Sequence, residues 1–178
     1  MNFNDLANKA HTNAVNHGFW KGRLSNEHCL MLVITEVGEL VEADRKKRHA
    51  KIDRFVEDGK EYPEFIGRFE DWIKDTVEDE FADIAIRLFD LAGALGVDFD
   101  KMNPCRYHRA FDKFNFAENA FALCKGLARD AIGIEKRIQF GVEYVKKWAE
   151  SLNIDLGWHI DNKMKYSETR PILHGKGY

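Results

Sequence analysis

Apolar residues recur along the chain at steps of three and four, and almost nowhere alternate with the period of two that a half-buried strand needs. The pattern predicts helices over about residues 4–16, 26–48, 69–95, 115–129 and 133–152, then a short helix ending near Tyr166 and an irregular tail. Gly18 in "HGFW" suits a left-handed helix terminus, and Ser25 or Asn26 in "SNEH" suits an N-cap. Residues 49–68 are mixed and polar and hold Gly59, Pro63 and Gly67, so a loop or a short separate helix is expected there. The longest predicted helix carries the seam Ile73, Val77, Glu80, Ile84, Leu88, Leu91, Leu95 and stops at Gly96. The fold class is all-α.

The chain has 178 residues, enough for one domain over 1–178 with a sizeable core and no need of disulfides or a structural metal. Its net charge of -3 creates no broad field for nucleic acid or an anionic membrane, so an anion site would have to be local. Cys29, Cys105 and Cys124 are odd in number and include no C-x-x-C pair, which fits a reduced, cytoplasmic protein. The start "MNFNDLANKA" has no signal-like apolar stretch, and no run approaches the roughly 18 apolar residues of a membrane span. Neither nucleic acid nor membrane is expected as a partner.

One member of the long seam is an acid, and a second helix repeats the device. In "TEVGELVEADR" Glu36 follows Leu32 and Val33 by one turn and precedes Leu40, with Glu39 three residues on. In "EDEFADIAIRLFDLAG" Glu80 has Val77 before it, Ile84 after it, and Asp83 three residues on. Residues at i and i+3 share a helix face, so each pair can converge on one point. A single E-x-x-E is usually a solvated face paired with Lys or Arg, as Glu42 with Arg45 and Lys46 would be. Two pairs set among apolar residues are different, because buried like charges repel and each needs compensation. Oxygen-only ligands favour a hard cation, Mg²⁺ or Mn²⁺. A di-iron bundle takes E-x-x-H from two helices, and none of the seven histidines has a Glu three residues before it.

These residues resemble the MazG-like all-α nucleoside triphosphate pyrophosphohydrolases, the superfamily that also contains the dimeric dUTPases and dCTP pyrophosphatases. The family pattern E-E-x-x-E, a spacer, then E-x-x-D reads here as Thr35-Glu36-x-x-Glu39 and Glu80-x-x-Asp83. "HTNAVNHGFW", "ITEVGELVEADR", "EDEFADIAIRLFDLAGALGVD" and "KMKYSETRPILHGKGY" look like the corresponding family segments, in family order. Thr35 replaces the first Glu of the doubled acid, Ser167 stands where Asn is common, and the spacer between Glu39 and Glu80 is long, which predicts an extra loop or helix near the site. Compact members reach the tail soon after "LAGALGVD", so residues at about 101–150 read as an inserted helical pair.

The resemblance implies a helical bundle that hydrolyses a nucleoside or deoxynucleoside triphosphate to monophosphate and pyrophosphate, as a homodimer or tetramer in nucleotide-pool housecleaning. Glu36, Glu39, Glu80 and Asp83 would hold Mg²⁺, with Mn²⁺ an alternative, and Glu39 would also take a proton from the attacking water. Lys163, Tyr166 and Arg170 would meet the phosphates, joined by the basic tail residues Lys165 and Lys176. Asn13, His17 and Trp20 would lie near the base, beside Phe19. Two uses remain open there: Phe19 and Trp20 can form an apolar plug, and His17 can cap its helix. The competing class is a non-catalytic helical module that binds a nucleotide or a protein. Phosphate-loop chemistry has no support, because no G-x-x-x-x-G-K-[ST] occurs.

Overall fold

The computed structural model describes residues 1–22, 24–61, 64–104 and 109–175, and Pro63, Cys105 and the tail lysine Lys176 lie outside them. The described residues form eight α-helices and three short 3-10 turns, with no strand. They are α1 Phe3–Asn16, α2 Asn26–Arg45, α3 Ile52–Glu61, α4 Phe65–Trp72, α5 Val77–Leu95, α6 Phe116–Leu127, α7 Ile134–Ser151 and α8 Leu156–Glu168. No described helix is long and apolar enough to cross a membrane.

Local chemistry explains most helix ends. Asn2, Ser25, Thr76, Asn115 and Asp155 cap the N-termini of α1, α2, α5, α6 and α8 through side-chain oxygens that accept backbone N–H bonds. Gly18 and Gly96 take left-handed φ of 83° and 65° after α1 and α5, as expected of Gly18, and the long helix stops at Gly96 as expected. α2 ends at Arg45 and not at residue 48, because Lys47 turns left-handed, with φ 55°.

The predicted helix over 69–95 is two helices, α4 and α5. Thr76 Oγ1 accepts from the Asp79 amide at 3.3 Å and donates to the Ile73 carbonyl at 2.6 Å, while Asp75 sits at φ 59°. These local bonds offer the backbone a better arrangement than continued helix. Ile73 and Val77 stay buried on either side of the break, whereas Leu95 is exposed. The break places Asp79 and Glu80 in the first turn of a new helix, where the helix dipole favours negative charge.

α5 is the central strut, with α1, α2, α7 and α8 packed around it and α6 bridging α2 and α7. Its Phe81, Ile84, Leu88 and Leu91 meet Val33 and Leu40 of α2 and Ile138, Val145 and Trp148 of α7 in one core. Gly93 lets α1 approach closely: a Cβ there would stand 2.5 Å from the Ala7 carbonyl oxygen. The helical pair expected within 101–150 is α6 and α7, whose buried faces belong to this same core. The 49–68 segment folds into the α3–α4 hairpin, which builds a second, smaller core on α8 from Phe55, Phe69, Ile73 and Tyr166.

His159 of α8 is buried, and both its ring nitrogens lack a hydrogen-bond partner. Burial pushes its pKa down to about 4, against weaker pulls upward from Glu78 and Asp155. The unfolded chain takes up that proton below the ordinary value of 6.5 and the folded chain does not. Stability should therefore fall between pH 6.5 and 4, by on the order of 3 kcal/mol. His159→Leu should remove this dependence and add about 1–3 kcal/mol at neutral pH, as unmet polar atoms leave the core. Urea unfolding at pH 5 and pH 7 checks it; a destabilised variant would mean that the imidazole is satisfied in solution.

Candidate metal and phosphate site

The two acid-bearing helices lie against each other, and α8 closes the third side. A cavity of about 310 Å³ opens there, bordered by ten of the residues that sequence reasoning selected: Glu36, Glu39, Glu80 and Asp83, then Lys163, Tyr166 and Arg170, then Asn13, His17 and Trp20. Carboxylate oxygens of Glu36, Glu80 and Asp83 lie within 4.8 Å of one another. Glu39 borders the cavity from an exposed position and is not in that compact trio. Thr35 points away from any ligand role, since its hydroxyl donates back to the Met31 carbonyl at 3.0 Å.

The charges are unevenly compensated. Glu36, only 4% exposed, accepts from Arg87 Nε. Lys163, 7% exposed, donates to Asp79 and Asp83 at 2.7 Å each. Glu80, 3% exposed, has a buried Oε2 with no hydrogen-bond partner, and Asp79 Oδ1 is likewise unmet. Burial first, and then the neighbouring Asp83, pushes the Glu80 carboxyl up to about 9. Burial raises Glu36 too, reinforced by Asp83 and opposed by Arg87. Asp79 reaches about 7 by burial even with Lys163 pulling it down. Burial lowers Lys163, but Asp83 and Asp79 together outweigh it and hold the ammonium above its ordinary range.

The phosphate candidates are therefore differently disposed than a free basic tail would be. Lys163 is committed to two aspartates. Tyr166 stacks on Phe69, with ring centroids 4.6 Å apart, and donates to Glu70 at 2.6 Å. Burial and that bond push its phenol up to about 12. Arg170 lies over the Tyr166 ring, 5.9 Å from its centroid, and borders the cavity. Lys165 is exposed over Phe65 and does not line the cavity.

Of the three base candidates, His17 Nδ1 lies 2.8 Å from the Asn13 carbonyl, the helix-capping use left open above. Trp20 is both plug and wall: it packs on the main core, lines the cavity and donates to Asp90 at 2.9 Å. The Asn13 amide stands 3.5 Å from the Met164 carbonyl, which is too long for a strong bond.

Sequence reasoning missed Asp75, Asp79, Arg87 and Asp90. Asp75 and Asp79 make a second close group with Glu80, again within 4.8 Å. A readable signal existed: Glu80, Asp83, Arg87 and Asp90 follow steps of three, four and three along α5, a polar stripe on an otherwise apolar helix. No family model, curated protein or solved structure matches this chain.

Proposed function

We propose that the protein is a Mg²⁺-dependent hydrolase that converts a nucleoside or deoxynucleoside triphosphate to monophosphate and pyrophosphate, with Mn²⁺ an alternative ion. The observation that carries this is a buried carboxyl group, that of Glu80, whose Oε2 is left without a hydrogen bond between two further acids at the wall of a cavity. Leaving such a group unpaired costs several kcal/mol, and a hard cation fits the oxygen-only donor set of the three acids. The residues thus fit the ion, and the motif resemblance points the same way.

Glu36, Glu80 and Asp83 would hold the ion. When bound, it offsets the charge of the triphosphate and acidifies water. Arg87 holds the Glu36 carboxylate and Lys163 holds that of Asp83, so two of the three acids are positioned in advance. Exposed Glu39 at the cavity wall is suited to take the proton of the attacking water, as a general base should be reachable by solvent and substrate together. Arg170 would grip phosphate oxygens bidentately. We further propose a cytoplasmic homodimer or tetramer with a housecleaning role, in line with the same resemblance.

The direct test is release of pyrophosphate, distinguished from orthophosphate, from a panel of ordinary and modified nucleoside triphosphates with Mg²⁺ or EDTA. Metal-dependent pyrophosphate with matching monophosphate is expected. No turnover by a folded, metal-loaded protein would favour the binding module.

Metal binding also has a thermal signature. Between the ordinary glutamate value of 4.5 and about 9, the folded metal-free protein keeps a proton on Glu80 that the unfolded chain has released. Metal-free stability should therefore fall as pH rises through that window. The His159 contribution to the slope is the same with and without the ion, so the difference between the two conditions belongs to the acids. A saturating divalent ion, at about a hundred times its Kd, should add about 2.7 kcal/mol and raise Tm by roughly 5–10 °C. At one fixed ion concentration the gain should be larger at pH 8.5 than at pH 6.5; equal slopes with Mg²⁺ and with EDTA would contradict it.

A further inference from the structure

Asp90 lies seven residues beyond Asp83 on α5, which is roughly 10 Å along the helix axis. It borders the same cavity, among Phe19, Trp20, Leu24, Leu32, Ile86 and Leu91. Its Oδ1 accepts from Trp20 Nε1 at 2.9 Å and stands 2.8 Å from His11 Nδ1. Trp Nε1 can only donate, and a carboxylate oxygen with two such neighbours requires His11 to carry its proton on Nδ1. The two rings meet edge to face at 5.2 Å, so the oxygen is clamped from two directions. Among the described residues no donor reaches Oδ2.

An oxygen acceptor without a donor, about two turns of α5 beyond Asp83 in a wall of apolar side chains and Arg87, is placed to read a base edge. We propose that Asp90 makes the site selective for bases carrying an exocyclic amino group, namely cytosine, adenine or guanine, over their carbonyl counterparts. This rests on the hydrolase reading above. With Oδ1 occupied by His11 and Trp20, Oδ2 takes one N–H from the amino group. Uracil and thymine in place of cytosine, hypoxanthine in place of adenine, and xanthine in place of guanine bring a carbonyl oxygen to that position, and two acceptors then face each other. A hydrogen bond to a charged group is worth about 1.5–3 kcal/mol, which corresponds to roughly ten- to a hundredfold in kcat/KM.

The test compares members of matched pairs: dCTP with dUTP, ATP with ITP, and GTP with XTP. The wild type should prefer the amino member of at least one pair by tenfold or more. In Asp90→Asn the carboxamide oxygen stays with His11 and Trp20, and an NH₂ donor replaces Oδ2, so the preference should reverse toward the carbonyl member. Equal kcat/KM within every pair for the wild type overturns the proposal without needing the variant. So does an Asp90→Asn variant that slows both members by one factor, as a purely structural residue would. If no nucleotide is hydrolysed, the hydrolase reading fails separately. Base selection is then read from the nucleotide-induced rise in Tm, where equal shifts within every pair overturn it.

Discussion

Glu80→Gln is expected to reduce metal-dependent turnover by at least a hundredfold and, with no metal present, to make the protein more stable. The kinetic part follows from the ion's contribution to charge stabilisation, several kcal/mol, with each ~1.4 kcal/mol a factor of ten in rate. The stability part follows from protonation. With its pKa pushed up to about 9, folded Glu80 must take up a proton at pH 7 that the unfolded chain has released. The amide mimics the protonated acid in shape without that cost, so the gain should be about 3 kcal/mol at pH 7 and vanish near pH 4.5. Pyrophosphate release and urea unfolding in EDTA measure the two parts. A variant that is fully active, or one that unfolds, would remove Glu80 from the metal set.

Lys163→Met should destabilise by about 3–5 kcal/mol at pH 8, because it strips the cation from a buried acid and not from a solvated one. Asp79 is 1% exposed, and Lys163 donates to it at 2.7 Å. Its carboxyl already sits near 7 with the lysine present, so losing that partner drives it higher. The loss should shrink at pH 5, where Asp79 can protonate. Adding Asp79→Asn should restore most of the stability, since both ends of the pair are then neutral, and the double-mutant cycle isolates their coupling. A Lys163→Met variant within 1 kcal/mol of wild type at pH 8 would show that the lysine is not the compensating charge. Such a result would return Lys163 to the role of a free phosphate ligand.

How much of this was legible beforehand depended on the range of the interaction. Helix spacing is a local property, so the periods of three and four, Ser25 and Gly18 marked α1, α2, α6 and α7 to within a few residues. The Glu36 and Glu80 pairs were visible because acids stood where apolar residues were due. The break between α4 and α5 was not, because hydrophobic periodicity runs straight through it: Ile73 and Val77 are both buried. Only the side-chain bonds of Thr76, and the left-handed Asp75, separate the two helices.

Helix content, the acid pairs and the count of apolar faces needing cover were thus written in the order of the residues, because each depends on neighbours within about two turns. Which charges meet was decided only by packing. Lys163 is 84 residues from Asp79, and Arg87 is 51 from Glu36. Burial, which moves Glu80 to about 9 and His159 to about 4, is a property of the assembled core and not of either residue. Asp90 gives the sharpest case: on α5 it is one more polar residue, and only the approach of α1 at Gly93 and the turn back to Trp20 bring two donors onto one of its oxygens.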